Sequence, residues 1–246
     1  MISKDIISDI HLKIYNSLPD RAGRILDIGC RDGAFIRYLS YKSRFVLGID
    51  FQISFLGTAK ENNPVSVNFV NSYAEQLAVR SGVFDYVILA ETLEHCRDEI
   101  ACVGEIRRVL NNGGKLILTV PYRGLFYFLD PDNFKVYFPR IYKIMYRILK
   151  KRESRKSLGF SGDNDYHRHY SLSDIESLLK GKLRIVQLHR GGLLFLPLFI
   201  WSKYFLDYLG LKDKYILRIL HFLSNLDFKI NFGRFAYSLF IIASKE

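Results

Sequence analysis

Between Asp27 and Gly33 the chain reads Asp-Ile-Gly-Cys-Arg-Asp-Gly, an acid followed by two glycines four residues apart. Glycines there let the backbone turn sharply and approach a ligand closely. Asp50 follows Asp27 by 23 residues and closes the run Phe45-Val-Leu-Gly-Ile-Asp50. An acid at that distance from a glycine turn is placed to accept hydrogen bonds from both hydroxyls of a ribose. Ser72 to Glu75, Ala90 to His95 and Pro121-Tyr122 also follow apolar runs and complete the set of candidate positions. Proton transfer at a hydroxyl is served by imidazole and phenol side chains, and His95, His167, His169 and Tyr170 are the candidates. Each has a plainer role: His95 as a cap or packing residue, and the His167-Arg-His-Tyr170 cluster as a loop anchor. His167 and His169 stand two apart without an acidic partner set, so no metal site is expected. Cys30, Cys96 and Cys102 form no C-x-x-C pair, which argues against a disulfide framework and points to a reducing, cytoplasmic compartment.

The elements that must position these residues alternate between two periods. Residues 5–17 repeat apolar side chains near 3.6 and read as an amphipathic helix. Strands are expected at Arg24–Asp27, Phe45–Asp50, Val65–Val70, Phe84–Ala90, Lys115–Val120, Leu183–His189 and Phe235–Ala243. Helices are expected at Ala34–Tyr41, Ser54–Asn62, Ile100–Leu110 (closed by Asn111-Asn-Gly-Gly114) and from Ser171 to Leu179, with Ser171 and Asp174 as capping residue types. The apolar run Tyr86 to Ala90 suits a strand covered on both faces. This alternation predicts an α/β fold: a doubly wound, Rossmann-like, seven-stranded and mostly parallel sheet. Ligands in such sheets bind beyond the carboxyl ends of the strands, where the strand order reverses. The whole chain, 1–246, reads as one domain carrying two elaborations, a basic and aromatic insertion over 122–165 and an apolar helical insertion over 191–233.

Four segments, in order, resemble the class I S-adenosylmethionine-dependent methyltransferases. Ile25-Leu-Asp-Ile-Gly-Cys-Arg-Asp-Gly33 resembles their glycine-rich first motif and Gly48-Ile-Asp50 their second-strand acid. Phe84 to His95 resembles their fourth-strand segment, and Glu105 to Leu116 the helix, turn and strand that follow. The resemblance covers about residues 22–121, with a weaker echo at His167-Arg-His-Tyr-Ser171. It implies S-adenosyl-L-methionine as cofactor, with the loop formed by Asp27, Gly29, Cys30, Arg31 and Gly33 around its methionine part. Asp50 would hold the ribose hydroxyls and Phe51 would lie beside the adenine. Tyr73 and Ala74 would lie along the adenine edge, and Ala90 and Glu91 would line the methionine end near the methyl group. Two positions depart from the family pattern: Arg31 stands where a second glycine is usual, and Tyr73 where an acid often precedes Ala-Glu. A nicotinamide-binding reading would need G-x-G-x-x-G, and this turn has only Gly29 and Gly33.

The chain has 246 residues and a formal net charge of +11, with 49% hydrophobic and 15% aromatic residues. That composition excludes a disordered or collagenous chain. No signal peptide is read at the N-terminus, and the longest uncharged run, Gly191 to Ser202, is shorter than the ~18 residues of a spanning helix. Residues 122–156 hold ten Lys/Arg against three acids. Within them Pro139 to Lys151 reads as a basic amphipathic helix, either a lid with a solvated face or a surface for a membrane or an anionic acceptor. Leu193 to Leu223 is rich in Leu, Phe, Ile and Tyr. It reads as an extra helical layer, a homodimer interface or a patch for a lipid-linked acceptor. The expected function is methyl transfer to a small-molecule acceptor, lipid-linked or phosphorylated, by direct displacement, from a protein in the cytoplasm or peripheral to the inner face of the membrane. An RNA methyltransferase and a non-catalytic binder of an adenosyl ligand stay open as alternatives. Bulk charge is the only feature for nucleic acid, since the Asp/Asn-Pro-Pro-Tyr motif of amino-group methyltransferases is replaced by Ala90-Glu-Thr-Leu93 and no RNA-binding module is visible.

Overall fold

A computed structural model describes all residues except 1–7, 64–66, 126, 130–132, 141–167, 194, 196–197, 199–201 and 203–213. Seven strands form one sheet in the order β3-β2-β1-β4-β5-β7-β6. They are β1 (Arg24–Ile28), β2 (Phe45–Asp50), β3 (Asn68–Asn71), β4 (Phe84–Ala90), β5 (Leu110–Pro121), β6 (Arg184–Gly191) and β7 (Ser238–Ser244). The β1–β2, β1–β4, β2–β3 and β4–β5 ladders are parallel. Strand β7 runs the other way along β5: Gly113 N–H donates to Lys245 O at one end and Tyr122 N–H to Tyr237 O at the other. The strand order reverses between β1 and β4, so the crevice expected for a ligand opens at Ile28–Gly29 and Ala90–Glu91.

The helices given by the described residues are α1 (Asp9–Ser17), α2 (Ile36–Leu39), α3 (Ile53–Asn62), α4 (Glu99–Val109), α5 (Phe134–Tyr137), α6 (Leu172–Leu179) and α7 (Lys214–Asp227). Their ends follow local chemistry. The Asp98 carboxylate accepts the N–H of Ala101 and caps α4, and Ser171 with Asp174 closes a reciprocal capping box on α6. The chain packs as two compact units, each described on its own: residues 10–121, 170–189 and 239–246 form the sheet unit, and residues 1–9, 122–169 and 190–238 the other. Both insertions read from the sequence fall in the second unit. In the sheet unit Ile25, Val46, Ile88, Ile117 and Phe240 from five strands meet Ile14 of α1, Leu18 just past it, Ile36 and Leu39 of α2 and Leu56 of α3. Those side chains are close to fully buried, which is why strands of this unit carry runs of apolar residues rather than alternation.

Several boundaries differ from the sequence reading; the helix expected over Ala34–Tyr41 is the shorter Ile36–Leu39, and three other differences have a visible cause or consequence. Asn111 to Gly114 do not close α4; they lie inside β5, bulging out between the pairs Phe84–Leu110 and Tyr86–Lys115. The Asp85 carboxylate holds the bulge by accepting Asn111 Nδ2 at 2.5 Å, and the left-handed Gly113 lets it pair with Lys245. Strand β7 begins at Ser238, not Phe235, because the left-handed Gly233, whose N–H donates to Asn231 Oδ1, starts a 3-10 turn over Gly233–Phe235. Strand β3 extends to Asn71, one residue past the expected end. From residue 141 on, the basic helix read over Pro139 to Lys151 lies outside the described residues, as does His167.

Candidate active site

At the carboxyl ends of β1 and β2 two acids lie side by side. Asp27 and Asp50 are each 4% exposed. Burial, then the neighbouring Asp50 charge, pushes the Asp27 carboxyl up to about 7. Asp50 is held by the turn it faces: its Oδ2 accepts the Arg31 N–H at 2.9 Å and its Oδ1 the Gln52 N–H at 2.8 Å. A carboxylate oxygen has two lone-pair directions, so each can accept one further hydrogen bond. Those two backbone donors therefore aim the carboxylate without exhausting it.

The turn is built by its glycines. Gly29 sits at φ +79 and its N–H, with that of Cys30, donates to Ile49 O at 2.8 and 3.0 Å, tying the loop to the end of β2. A Cβ on Gly29 would collide with the Thr92 side chain, and one on Gly33, at φ +71, with Asn63 and Ala59. Arg31, at the position where the family usually has glycine, takes φ +47. The backbone is thus glycine-like although the residue is not, and the exposed guanidinium stacks over Phe55, 5.4 Å from the ring centre. Cys30 is buried and its thiol is pushed well above the ordinary thiol range by burial and the nearby Asp27 and Asp50 charges. It fills space and is not a nucleophile.

Phe51 and Tyr73 stand on this rim, each 54% exposed, with ring centres 5.8 Å apart and an interplanar angle of 19°. Ala74 follows Tyr73 in the turn closed by Gln76 N–H to Tyr73 O. At the end of β4, Ala90 is half-buried and Glu91 takes φ +46, its N–H shared at 3.1 Å between Thr119 O and Thr119 Oγ1. A left-handed non-glycine residue costs roughly 1 kcal/mol or more, and such strain concentrates at functional sites. The sheet rim thus brings together Asp27, Gly29, Cys30, Arg31, Gly33, Asp50 and Phe51, with Tyr73, Ala74, Ala90 and Glu91 on the neighbouring strand ends.

The expected proton acceptors are distributed differently. His95 ends the 3-10 turn Leu93–His95, four residues beyond Glu91, and is exposed. Tyr170 is 1% exposed; its hydroxyl donates to Glu99 Oε1 at 2.6 Å and its N–H to Pro121 O at 2.9 Å, which is an anchor's geometry. His169 belongs to the other unit, 2% exposed, against the rings of Tyr127 and Tyr237, with Nδ1 3.4 Å from Asn133 Nδ2. Four positioning residues were not singled out in the sequence. Asn71 donates to Asp50 O at 2.9 Å and Phe51 O at 2.8 Å. Asn63 is buried and donates to Gly33 O at 3.1 Å and Ala59 O at 2.9 Å. Thr92 and Thr119 brace the Ala90–Glu91 bend. Two asparagines and two threonines at or near strand and helix ends were the available signal. Among the described residues, no group of three or more His, Cys, Asp or Glu could hold a metal ion.

Residues 26–118 match the family model described as a methyltransferase domain. A ubiquinone biosynthesis O-methyltransferase of Cereibacter sphaeroides is 25% identical over 204 residues, 82% of this chain and 75% of that protein. One of Pseudomonas aeruginosa with the same name is 31% identical over 121 residues, 46% of this chain and 52% of the relative. The match spans about half the length of the first curated relatives found, at 48%. Among solved structures, an S-adenosylmethionine-dependent methyltransferase from Mesorhizobium loti superposes with TM-score 0.61 at 15% identity, covering 96% of this chain and 98% of that one. The Haemonchus contortus phosphoethanolamine N-methyltransferase 2, solved with S-adenosyl-L-methionine, gives 0.59 at 18% identity over 95% of this chain and 51% of its own. These structural likenesses establish a shared fold.

Proposed function

We propose that this chain, which belongs to the class I S-adenosylmethionine-dependent methyltransferase family, moves a methyl group to a hydroxyl of a small, lipid-linked acceptor. The observation that carries the cofactor half is the buried Asp27–Asp50 pair at the rim where the strand order reverses. A buried acid with a raised pKa suits a cationic ligand, and an acid aimed by two backbone donors suits a diol. When bound, the cofactor supplies an electrophilic methyl group on a sulfonium, whose carbon–sulfur bond breaks with the electron pair going to sulfur.

Within this reading, Asp50 accepts from the ribose hydroxyls, the Gly29–Gly33 turn lets the backbone approach the methionine part, and Phe51 with Tyr73 offers ring surface to the adenine. Glu91 and Ala90 line the methyl end. Such a transfer is dominated by positioning and water exclusion. A hydroxyl acceptor must also lose a proton, and His95, exposed on the β4 rim, is the residue we assign to take it. The oxygen and lipid-linked character of the acceptor is supported by the relatives named ubiquinone biosynthesis O-methyltransferases and by the basic first and apolar second insertions.

Calorimetry with S-adenosylmethionine tests the first half. Asp50→Ala removes the acceptor for two hydroxyls, with charge-assisted bonds of about 1.5–3 kcal/mol each, so binding should weaken at least tenfold. Transfer of a labelled methyl group to hydroxylated polyprenyl-ring compounds, against polyprenyl phosphates and tRNA, tests the second. Label in tRNA alone would discard the lipid-linked acceptor.

A further inference from the structure

Helix α7 carries apolar side chains on an exposed face. Ile219, Phe222 and Leu226 recur at i, i+3 and i+7 and are 45%, 62% and 42% exposed, and Ile230, one turn beyond the helix, is 55% exposed. Among the described side chains of α7, the buried ones are polar: Ser224 is 0% and Asp227 5% exposed. Their bonds fix which way the helix faces. Ser224 Oγ donates to the Asp9 carboxylate, and Asp227 Oδ2 accepts the N–H groups of Leu193 at 2.8 Å and Phe195 at 3.0 Å. Turning α7 to bury Phe222 would strip these buried groups of partners, which is costly. The apolar stripe is therefore held outward by the fold itself.

The charge of the same unit says what covers it. Residues 1–9, 122–169 and 190–238 hold 19 Lys/Arg against 10 Asp/Glu, a net +9 of the chain's +11. Lys229 and Arg234, just past the stripe, are both exposed. The four stripe side chains offer on the order of 400 Å², about half of what each partner brings to a standard protein–protein interface. An apolar stripe one helix wide, with exposed Lys229 and Arg234 just past it in a unit of net positive charge, matches the boundary of an anionic bilayer. Among the described residues no helix is long and apolar enough to cross a membrane, so this helix lies on the surface.

We infer that α7 docks the protein on anionic phospholipid bilayers through Ile219, Phe222, Leu226 and Ile230. The purpose of that docking, delivery of a lipid-linked acceptor, rests on the function proposed above; the docking itself is measured without acceptor.

The test is flotation of the full chain with vesicles of phosphatidylcholine and phosphatidylglycerol in equal parts, and with phosphatidylcholine alone. Binding is expected to the mixed vesicles and to fall roughly tenfold or more without the anionic lipid or at high salt. Phe222→Glu, and separately Ile219→Ser with Leu226→Ser, should each weaken it about tenfold, whereas Ile100→Glu, an equally exposed site on α4 (67%), should not. Circular dichroism and S-adenosylmethionine calorimetry on each variant verify the fold and the cofactor site. No flotation of the unaltered chain, or equal flotation of the stripe variants, would overturn the inference. So would a dimer in light scattering that Phe222→Glu dissolves, which would assign the stripe to a second copy. Flotation without cofactor binding would uphold the docking and discard the enzyme reading.

Discussion

Arg31 occupies the left-handed region at φ +47, and its own N–H donates to the Asp50 carboxylate. The strain of a side chain there is roughly 1–2 kcal/mol. Replacing it with glycine relieves that strain but enlarges the unfolded ensemble by about 0.4–1 kcal/mol, and gives up the contact over Phe55, about 0.5–1 kcal/mol. The terms nearly cancel, so Arg31→Gly should leave the melting temperature within a few degrees and keep cofactor binding. Gly29→Ala is the contrast: a Cβ meeting Thr92 at φ +79 should cost binding at least tenfold, and paired thermal scans and titrations distinguish the two. Asp27 carries a pH signature. With its carboxyl near 7 from burial and the Asp50 charge, it holds a proton in the free protein at pH 6 and gives it up to a cationic ligand. Affinity for S-adenosylmethionine should rise up to tenfold per pH unit towards pH 7 and level off above it. Calorimetry in buffers of different ionisation heat should detect one proton released at pH 6, and none in Asp27→Asn.

Asn71 ends β3 opposite Asp50 in the ladder and clamps the β2 end through two carbonyls. It is exposed, so water replaces much of what Asn71→Ala removes, and the fold should barely notice. The rim should notice more: a loss of about 1 kcal/mol in aiming Asp50 and Phe51 corresponds to roughly a fivefold higher Kd for S-adenosylmethionine, which titration against the unaltered chain measures. Elements such as this one mark how far the sequence could be read. The runs Ile25-Leu-Asp, Phe45 to Asp50 and Tyr86 to Ala90 announced their strands because both faces of the sheet are covered, and a buried strand has no polar face to confuse its pattern. Ser171 and Asp174 announced a helix start, since capping is local chemistry. What stayed hidden depends on partners distant in sequence. Nothing in Asn111-Asn-Gly-Gly114 shows that Asp85 and Lys245 will draw it into β5. Nothing in the sequence tells that the Tyr170 hydroxyl meets Glu99 or that His169 packs against Tyr237, so the acid–base candidates could be collected but not ranked.

Among the described residues, Asp9, Asp27 and His11 exchange protons with folding between about pH 4 and 7, and they do not all pull the same way. Burial, opposed by the Ser224 hydrogen bond and reinforced by Asp227, lifts Asp9 to about 6, and burial with the Asp50 charge lifts Asp27 to about 7. Burial against the Phe35 ring, 4.2 Å from centre to centre, lowers His11 to about 4. The two acids are protonated in the fold and ionised in the unfolded chain once pH exceeds about 4, so their contribution to stability is full below that and is lost as pH climbs through 6 and 7. His11 is neutral in the fold and charged in the unfolded chain between about 4 and 6.5, so its contribution grows with pH over that window. From pH 4 to 6 two groups oppose one, and the fold holds a net excess of one proton. Stability then falls by at most about 1.4 kcal/mol per pH unit. From 6.5 to 7 Asp27 alone continues the decline, and above 7 the curve flattens. Melting temperatures read every half unit from pH 5 to 8 should therefore drop and then level. Asp9→Asn should remove the decline below pH 6, because Asp27 and His11 then balance. His11→Phe should steepen it by removing the one group that opposes the acids, and no fall in either His11→Phe or the unaltered chain would show that these carboxyls are ionised in the fold throughout.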